Sequence, residues 1–258
     1  MSAPAPTPPS LTTFSLLSFD VYGTLMDWET GLYAAAAPLL AKPSPNCTTP
    51  LSRSEFLRLH CSLETEQQAA TPGLLYSALL STVYIQLASA LSLPPPSQAE
   101  ADAYGASIKD WLPFPDTADA LRRLGKHYKL VVLSNVDAAS FATSARKMGP
   151  EGTFDAVLTA QEIGSYKPDL RNFEFLLKTV RERFGVEKEA VLHTAQSLSH
   201  DHVPAAEMGI RSAWISRGEA AIGVGESEEE ERNMGNWEWR WNTLGEMADA
   251  VDEAFKAK

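Results

Sequence analysis

The chain has only two cysteines, Cys47 and Cys61, so no disulfide framework holds it, and neither lies in a CxxC-type metal pair. That scarcity fits a reducing compartment, and a cytoplasmic location is expected. No window approaches the uninterrupted apolar length of a membrane span. The opening residues, MSAPAPTPPSLT, lack the basic flank and apolar segment of a signal peptide. Their proline content predicts a disordered lead-in over residues 1–12, outside the fold. Positive charge is also short: 22 Lys and Arg against 33 Asp and Glu leave a net charge of −11, which argues against binding nucleic acid through phosphate neutralisation. No internal repeat is visible. The partner expected of such a chain is a small molecule, with no nucleic acid and no membrane.

What is present is ample for one sizeable core: 258 residues, 44% of them hydrophobic. LLSF at residues 16–19 reads as a buried strand, and Asp20 follows where turn chemistry begins. From about Thr30 to Leu112 the pattern is helix after helix. GLYAAAAPLL gives one, Ser52-x-x-Glu55 opens a second like a capping box, a third runs from about Leu74 to Leu91, and a short one reaches about Asp110. After Pro113 strands and helices alternate: KLVVLSN, FDAVLTA, AVLHTA and RSAWIS are strands with helical stretches between them. Alternation of that kind means βαβ units and a parallel sheet. The fold class is therefore α/β, a Rossmann-like parallel sheet flanked by helices with an inserted all-helical cap. The boundaries expected are 13–29 and 113–258 for the core and 30–112 for the cap. GEAAIGVGESEEEERNMGN reads as a mobile surface loop, and alternating Trp237, Trp239 and Trp241 as a half-buried edge segment.

Polar residues close several strands. Asp20 ends the first, Ser134 and Asn135 end KLVVLSN, Lys167 lies just past FDAVLTA in SYKPD, and Asp201 follows AVLHTA in AQSLSHD. In a parallel sheet these ends face one crevice, where ligands of open α/β sheets collect. A carboxylate, an ammonium group and a second carboxylate thus converge from distant segments.

DVYGTLMDW, LSNVD, SYKPD and the downstream Asp201 resemble the four motifs of the haloacid dehalogenase superfamily, from about Phe14 to the final helix. Within it the sequence is most similar to the type II 2-haloacid dehalogenases. The resemblance implies covalent catalysis. Asp20 attacks the halogen-bearing carbon of a small 2-halo acid, halide leaves, and water cleaves the resulting ester. Lys167 holds Asp20 ionised, and Asp201 holds Lys167 and orients the water. Tyr22, Thr24, Ser134, Asn135, Ser197 and His200 are then the substrate-binding set, Asn135 donating to the halide and Thr24 and Ser134 binding carboxylate oxygens. Arg58 is a cap candidate for the halide site.

Tyr22 stands where family phosphatases carry an aspartate that protonates the leaving oxygen. A phenol with a pKa near ~10 is a poor general acid, so phosphate-ester hydrolysis is disfavoured. No cofactor is expected, Mg²⁺ entering only in the alternative of a phosphate ester or another non-halogenated metabolite. His193, His200 and His202 cluster around Asp201 without a defined ligand geometry, and no metal site is expected. Two features depart from the dehalogenases: Gln196, Leu198 and His200 replace residues of the last motif, and Arg53 and Arg58 do not align cleanly with the cap arginine. A homodimer is compatible with this class of enzyme.

Overall fold

β1 (Leu16–Phe19) is buried along its whole length because it lies in the middle of the sheet. In the computed structural model, which describes residues 8–43, 51–218, 220–223, 231 and 237–258, it pairs in parallel with β4 (Lys129–Ser134) on one side and β6 (Val191–Ala195) on the other. β5 (Ala156–Thr159) extends the sheet beyond β4; β7 (Arg211–Ile215) and β8 (Trp239–Trp241) extend it beyond β6. Six strands in the order β5-β4-β1-β6-β7-β8 form the sheet, every neighbouring pair parallel. β1, first in the chain, therefore has later strands on both sides, so the order reverses at its carboxyl end, where such sheets hold ligands.

Side chains alternate between the two faces. Leu17, Phe19, Leu130 and Val132 share one core with Leu121 and Leu124 of α5 (Thr117–Leu124) and with Leu244 and Met247 of the final helix, Leu244–Lys256. Leu16, Val131 and Leu133 share a second with Phe173, Leu176 and Val180 of α8 (Arg171–Phe184). α6 (Ala138–Met148), α7 (Ala160–Ile163) and α9 (Val203–Glu207) complete the connections.

Past the turn after β1 the chain enters a helical block through β2 (Met26–Asp27) and leaves it through β3 (Leu112–Pro113), which pair antiparallel. Between them run α1 (Trp28–Leu40), α2 (Arg53–Ala70), α3 (Tyr76–Ala90) and α4 (Gln98–Gly105), then a 3₁₀ turn over Ala106–Asp110. α2 and α4 open on full capping boxes, Ser52 with Glu55 and Ser97 with Glu100. α4 closes on α3 so tightly that a Cβ at Gly105 would collide with the Ser77 carbonyl oxygen, which is backbone and cannot swing aside. Gly105→Ala is expected to destabilise the protein by about 1–3 kcal/mol, read as a lower urea midpoint with little change in the far-ultraviolet spectrum.

Three expectations need correction. The proline-rich lead-in does not extend to residue 12: Leu11–Thr13 form a 3₁₀ turn capped by Ser10, Leu11 is buried in the core, and its carbonyl accepts the Tyr128 hydroxyl at 3.0 Å. An apolar side chain inside a proline-rich stretch found a place to bury. Residues 1–7 lie outside the described residues. The first helix starts at Trp28 rather than Thr30, because Asp27 accepts the Thr30 N–H as N-cap. Part of the glycine-rich loop is built into the molecule. Ala221 and Ile222 donate backbone N–H groups to the buried carboxylate of Glu29 at 2.9 and 3.0 Å, and the Ile222 carbonyl accepts from Gln196 at 2.7 Å. The acidic remainder, residues 224–230 and 232–236, and Cys47 lie outside the described residues. Among the described residues no helix is long and apolar enough to cross a membrane.

Candidate active site

The turn after β1 aims Asp20. Its backbone N–H donates to the Thr194 carbonyl, continuing the pairing with β6, and Gly23 then turns the chain with φ +99° in the left-handed region. A Cβ at Gly23 would also press on Gln196 Oε1 and Trp28 Nε1, each 3.1 Å away. Thr24 Oγ1 donates to Asp20 Oδ2 at 2.8 Å and accepts the Gln196 N–H at 2.9 Å. Its hydroxyl is therefore spent behind the carboxylate. Thr24 is fully buried and absent from the cavity lining, so it does not bind substrate oxygens as expected; it fixes Asp20.

Lys167 joins the convergent segments. Its Nζ donates to Asp20 Oδ1 at 2.9 Å, to Asp201 Oδ1 at 2.7 Å and to the Leu133 carbonyl at 2.9 Å, using all three ammonium hydrogens. Asn135 braces this arm: its side chain accepts the Lys167 N–H at 2.7 Å and donates to the Lys167 carbonyl at 3.0 Å. One amide hydrogen thus serves the lysine, and Asn135 also lines the cavity beside Asp20. Behind Asp201, His193 Nε2 lies 2.9 Å from Oδ1 and His193 Nδ1 lies 2.8 Å from Ser18 Oγ. A Ser18–His193–Asp201–Lys167–Asp20 chain runs from inside the sheet to its edge.

Burial sets these charges against each other. It would raise Asp201, but the Lys167 ammonium and the His193 imidazole outweigh it and hold that carboxyl well below the usual range. Burial also opposes the ammonium of Lys167, yet the two carboxylates keep its pKa above the ordinary lysine value. Asp20 is pushed up by burial and by Asp201, against the pull of Lys167. Burial lowers His200, leaving a neutral imidazole. His202 is driven down to about 4 by burial and bonds to Ser212 and the Ala195 carbonyl, a structural role away from the cavity.

The cavity above these groups has a volume of about 110 Å³, which suits a small ligand. Its floor carries Asp20, Ser134, Lys167 and Asp201. The Ser134 hydroxyl is buried without a partner among the described residues, a donor and acceptor left for a ligand. Tyr22, Asn135, Ser197 and His200 also line it. The Tyr22 hydroxyl bonds to Ser144 at 3.0 Å and its ring packs on Tyr76 and Trp111. Ser197 Oγ accepts the His200 N–H at 3.2 Å, holding the turn that presents Asp201. Arg58 is exposed and away from the cavity, because α2 turns that position to solvent.

A haloacid dehalogenase-like hydrolase model matches residues 14–194, more than half of the chain. The chain belongs to that family. Among curated relatives it is 29% identical over 106 residues to an (S)-2-haloacid dehalogenase of Pseudomonas sp. (strain YL), covering 41% of this chain and 44% of that one. It is 30% identical over 105 residues to a glyceraldehyde 3-phosphate phosphatase of Methanothermobacter thermautotrophicus, covering 40% and 45%. The matched segments span less than half the length of these curated relatives. Solved structures share the fold over nearly the full chain. An L-2-haloacid dehalogenase from Xanthobacter autotrophicus superposes with a TM-score of 0.70 at 18% identity, covering 93% of this chain and 98% of that one. A dehalogenase solved with an intermediate complex gives 0.73 at 18%, covering 93% and 97%.

Among the described residues of this haloacid dehalogenase-like hydrolase, no group of three or more His, Cys, Asp or Glu side chains is placed to hold a metal ion. The Lys167 ammonium already sits between the two carboxylates, and Gln196 offers an amide committed to Ile222. The wall facing the sheet was missed by sequence reasoning. Cys61, Glu64, Thr65 and Gln68 of α2 line the cavity, with Tyr76 from the start of α3. Their spacing of i, i+3, i+4 and i+7 is the signal that marks one face of a helix.

Proposed function

We propose that the protein displaces halide from a small 2-halo carboxylic acid through an ester on Asp20. The observation that carries this reading is the Lys167 ammonium bonded at once to Asp20 and Asp201 on the floor of a small cavity, beside a Ser134 hydroxyl with no partner among the described residues. Ser134 donates its hydroxyl to the substrate carboxylate, whose charge the neighbouring Lys167 ammonium offsets without bonding to it, and an Asp20 oxygen attacks the halogen-bearing carbon in line. The new C–O bond forms as the C–halogen bond breaks, the halide leaves with the bonding pair, and the carbon inverts. Water then adds to the Asp20 ester carbonyl, with Asp201 oriented by His193 on the side of the incoming water, giving a 2-hydroxy acid and the free carboxylate. Halide departure requires no proton, which suits Tyr22 at the position of the phosphatase acid. The free Cys61 suits a reducing compartment, and we place the enzyme in the cytoplasm.

A panel of 2-halo acids and phosphate esters tests this. Halide release from one enantiomer of 2-chloropropionate, unaffected by EDTA and accompanied by the inverted lactate, is the expected result. Magnesium-dependent phosphate release without halide release contradicts it and favours the chemistry named for the Methanothermobacter relative.

A further inference from the structure

In-line attack from Asp20 drives the leaving group away from the sheet, toward the wall built by α2 and the start of α3. An anion arriving there needs a cation or a hydrogen-bond donor. The described residues lining that wall include no lysine or arginine: Lys167 is pinned on the floor between its two carboxylates, and Arg58 faces solvent. In its place stands the carboxyl group of Glu64, whose Oε1 accepts Gln68 Nε2 at 2.9 Å and which also takes the Tyr76 hydroxyl.

We propose that Glu64, as a neutral carboxylic acid, is the catalytic group that receives the departing halide, donating its O–H to the anion as the carbon–halogen bond breaks. The inference rests on the aspartyl-ester chemistry proposed above. In the step, an Asp20 lone pair becomes the new C–O bond, the old bonding pair leaves with the halide, and the Glu64 proton is shared with that anion until it diffuses away.

The surroundings keep Glu64 protonated. On its own helix, His60 Nδ1 lies 3.5 Å from Oε2, but burial lowers that imidazole to about 3 and leaves it uncharged; the Cys61 thiol is pushed up by burial. Tyr76 from α3, Tyr104 from α4 and Tyr166 from the core are all raised by burial and neutral. The charged groups that share the cavity are the floor set of Asp20, Asp201 and Lys167, whose ammonium is already divided between two anions. With no cation at hand, burial raises Glu64 to about 7. The neutral form dominates below that pH. Above it a carboxylate confronts the halide and repels it.

Fluoride, the halide that accepts hydrogen bonds most strongly, depends most on this donor. The test compares kcat/KM for halide release from 2-chloropropionate and 2-fluoropropionate between pH 5.5 and 9, in the native enzyme and in Glu64→Gln and Glu64→Leu. The native enzyme is expected to lose activity above pH 7, approaching about tenfold per pH unit, on both substrates. Glu64→Gln, which keeps an N–H donor but cannot ionise, is expected to show a level profile over that range. Glu64→Leu is expected to lose fluoride release at least about tenfold more than chloride release. A level native profile, a Gln variant that parallels the native fall, or equal losses for the two halides overturns the role of Glu64 while leaving the ester chemistry standing. Release of neither halide by the native enzyme overturns both.

Discussion

Asp20→Asn eliminates halide release, by about 10⁴-fold or more, without unfolding the protein. The amide has the shape of the carboxylate but almost none of its nucleophilicity, and no other carboxylate on the cavity floor is free to attack. Asp201 is held by Lys167 and His193. The fold survives because Lys167 keeps its bonds to Asp201 and to the Leu133 carbonyl, and Thr24 keeps an oxygen to donate to. Chloride release under single-turnover conditions, with a thermal melt as the control for folding, checks it. Native-like release from a folded Asn variant would remove Asp20 from the chemistry.

Lys167→Met does the opposite: it damages activity and stability together. The ammonium is 2% exposed and neutralises two carboxylates that are themselves almost wholly buried. Removing one member of a buried ion pair leaves charge uncompensated and costs about 3–5 kcal/mol. Here two anions are stranded. The pH dependence carries the diagnostic sign. In the native protein Asp201 is depressed, so its contribution is present above the ordinary carboxylate pKa and disappears as pH falls through its own lower value. Without the ammonium both carboxyl groups are raised above their unfolded values, the folded state binds protons more tightly than the unfolded one, and stability falls as pH rises. Urea midpoints for the Met variant are therefore expected to be higher at pH 5 than at pH 8. A variant with native stability at pH 8 would mean that the ammonium does not hold the two acids.

The strands and the convergence of Asp20, Lys167 and Asp201 were legible because each rests on a local pattern that topology makes global: an apolar run, a polar residue where it stops, and parallel strands that bring the stops together. The individual roles were less legible. Thr24 was expected to touch substrate, but its hydroxyl is consumed in holding Asp20, a distinction that depends on which way a hydroxyl is turned. Arg58 is exposed and lies about one helical turn before Cys61, the first α2 residue that lines the cavity. The β2–β3 ribbon, two residues per strand, is too short to leave a period in the sequence. Glu29 gave no sign of its role, since its partners are backbone N–H groups almost two hundred positions away.

The most direct test of the covalent step is a single turnover of a 2-halo acid in H₂¹⁸O with enzyme in excess, followed by mass analysis of the product and of the peptide containing Asp20. Displacement by Asp20 and hydrolysis at its carbonyl puts the label on the aspartate and leaves the 2-hydroxy acid unlabelled. Label in the hydroxy acid with an unlabelled Asp20 peptide would mean that water attacks the substrate directly and that no ester forms.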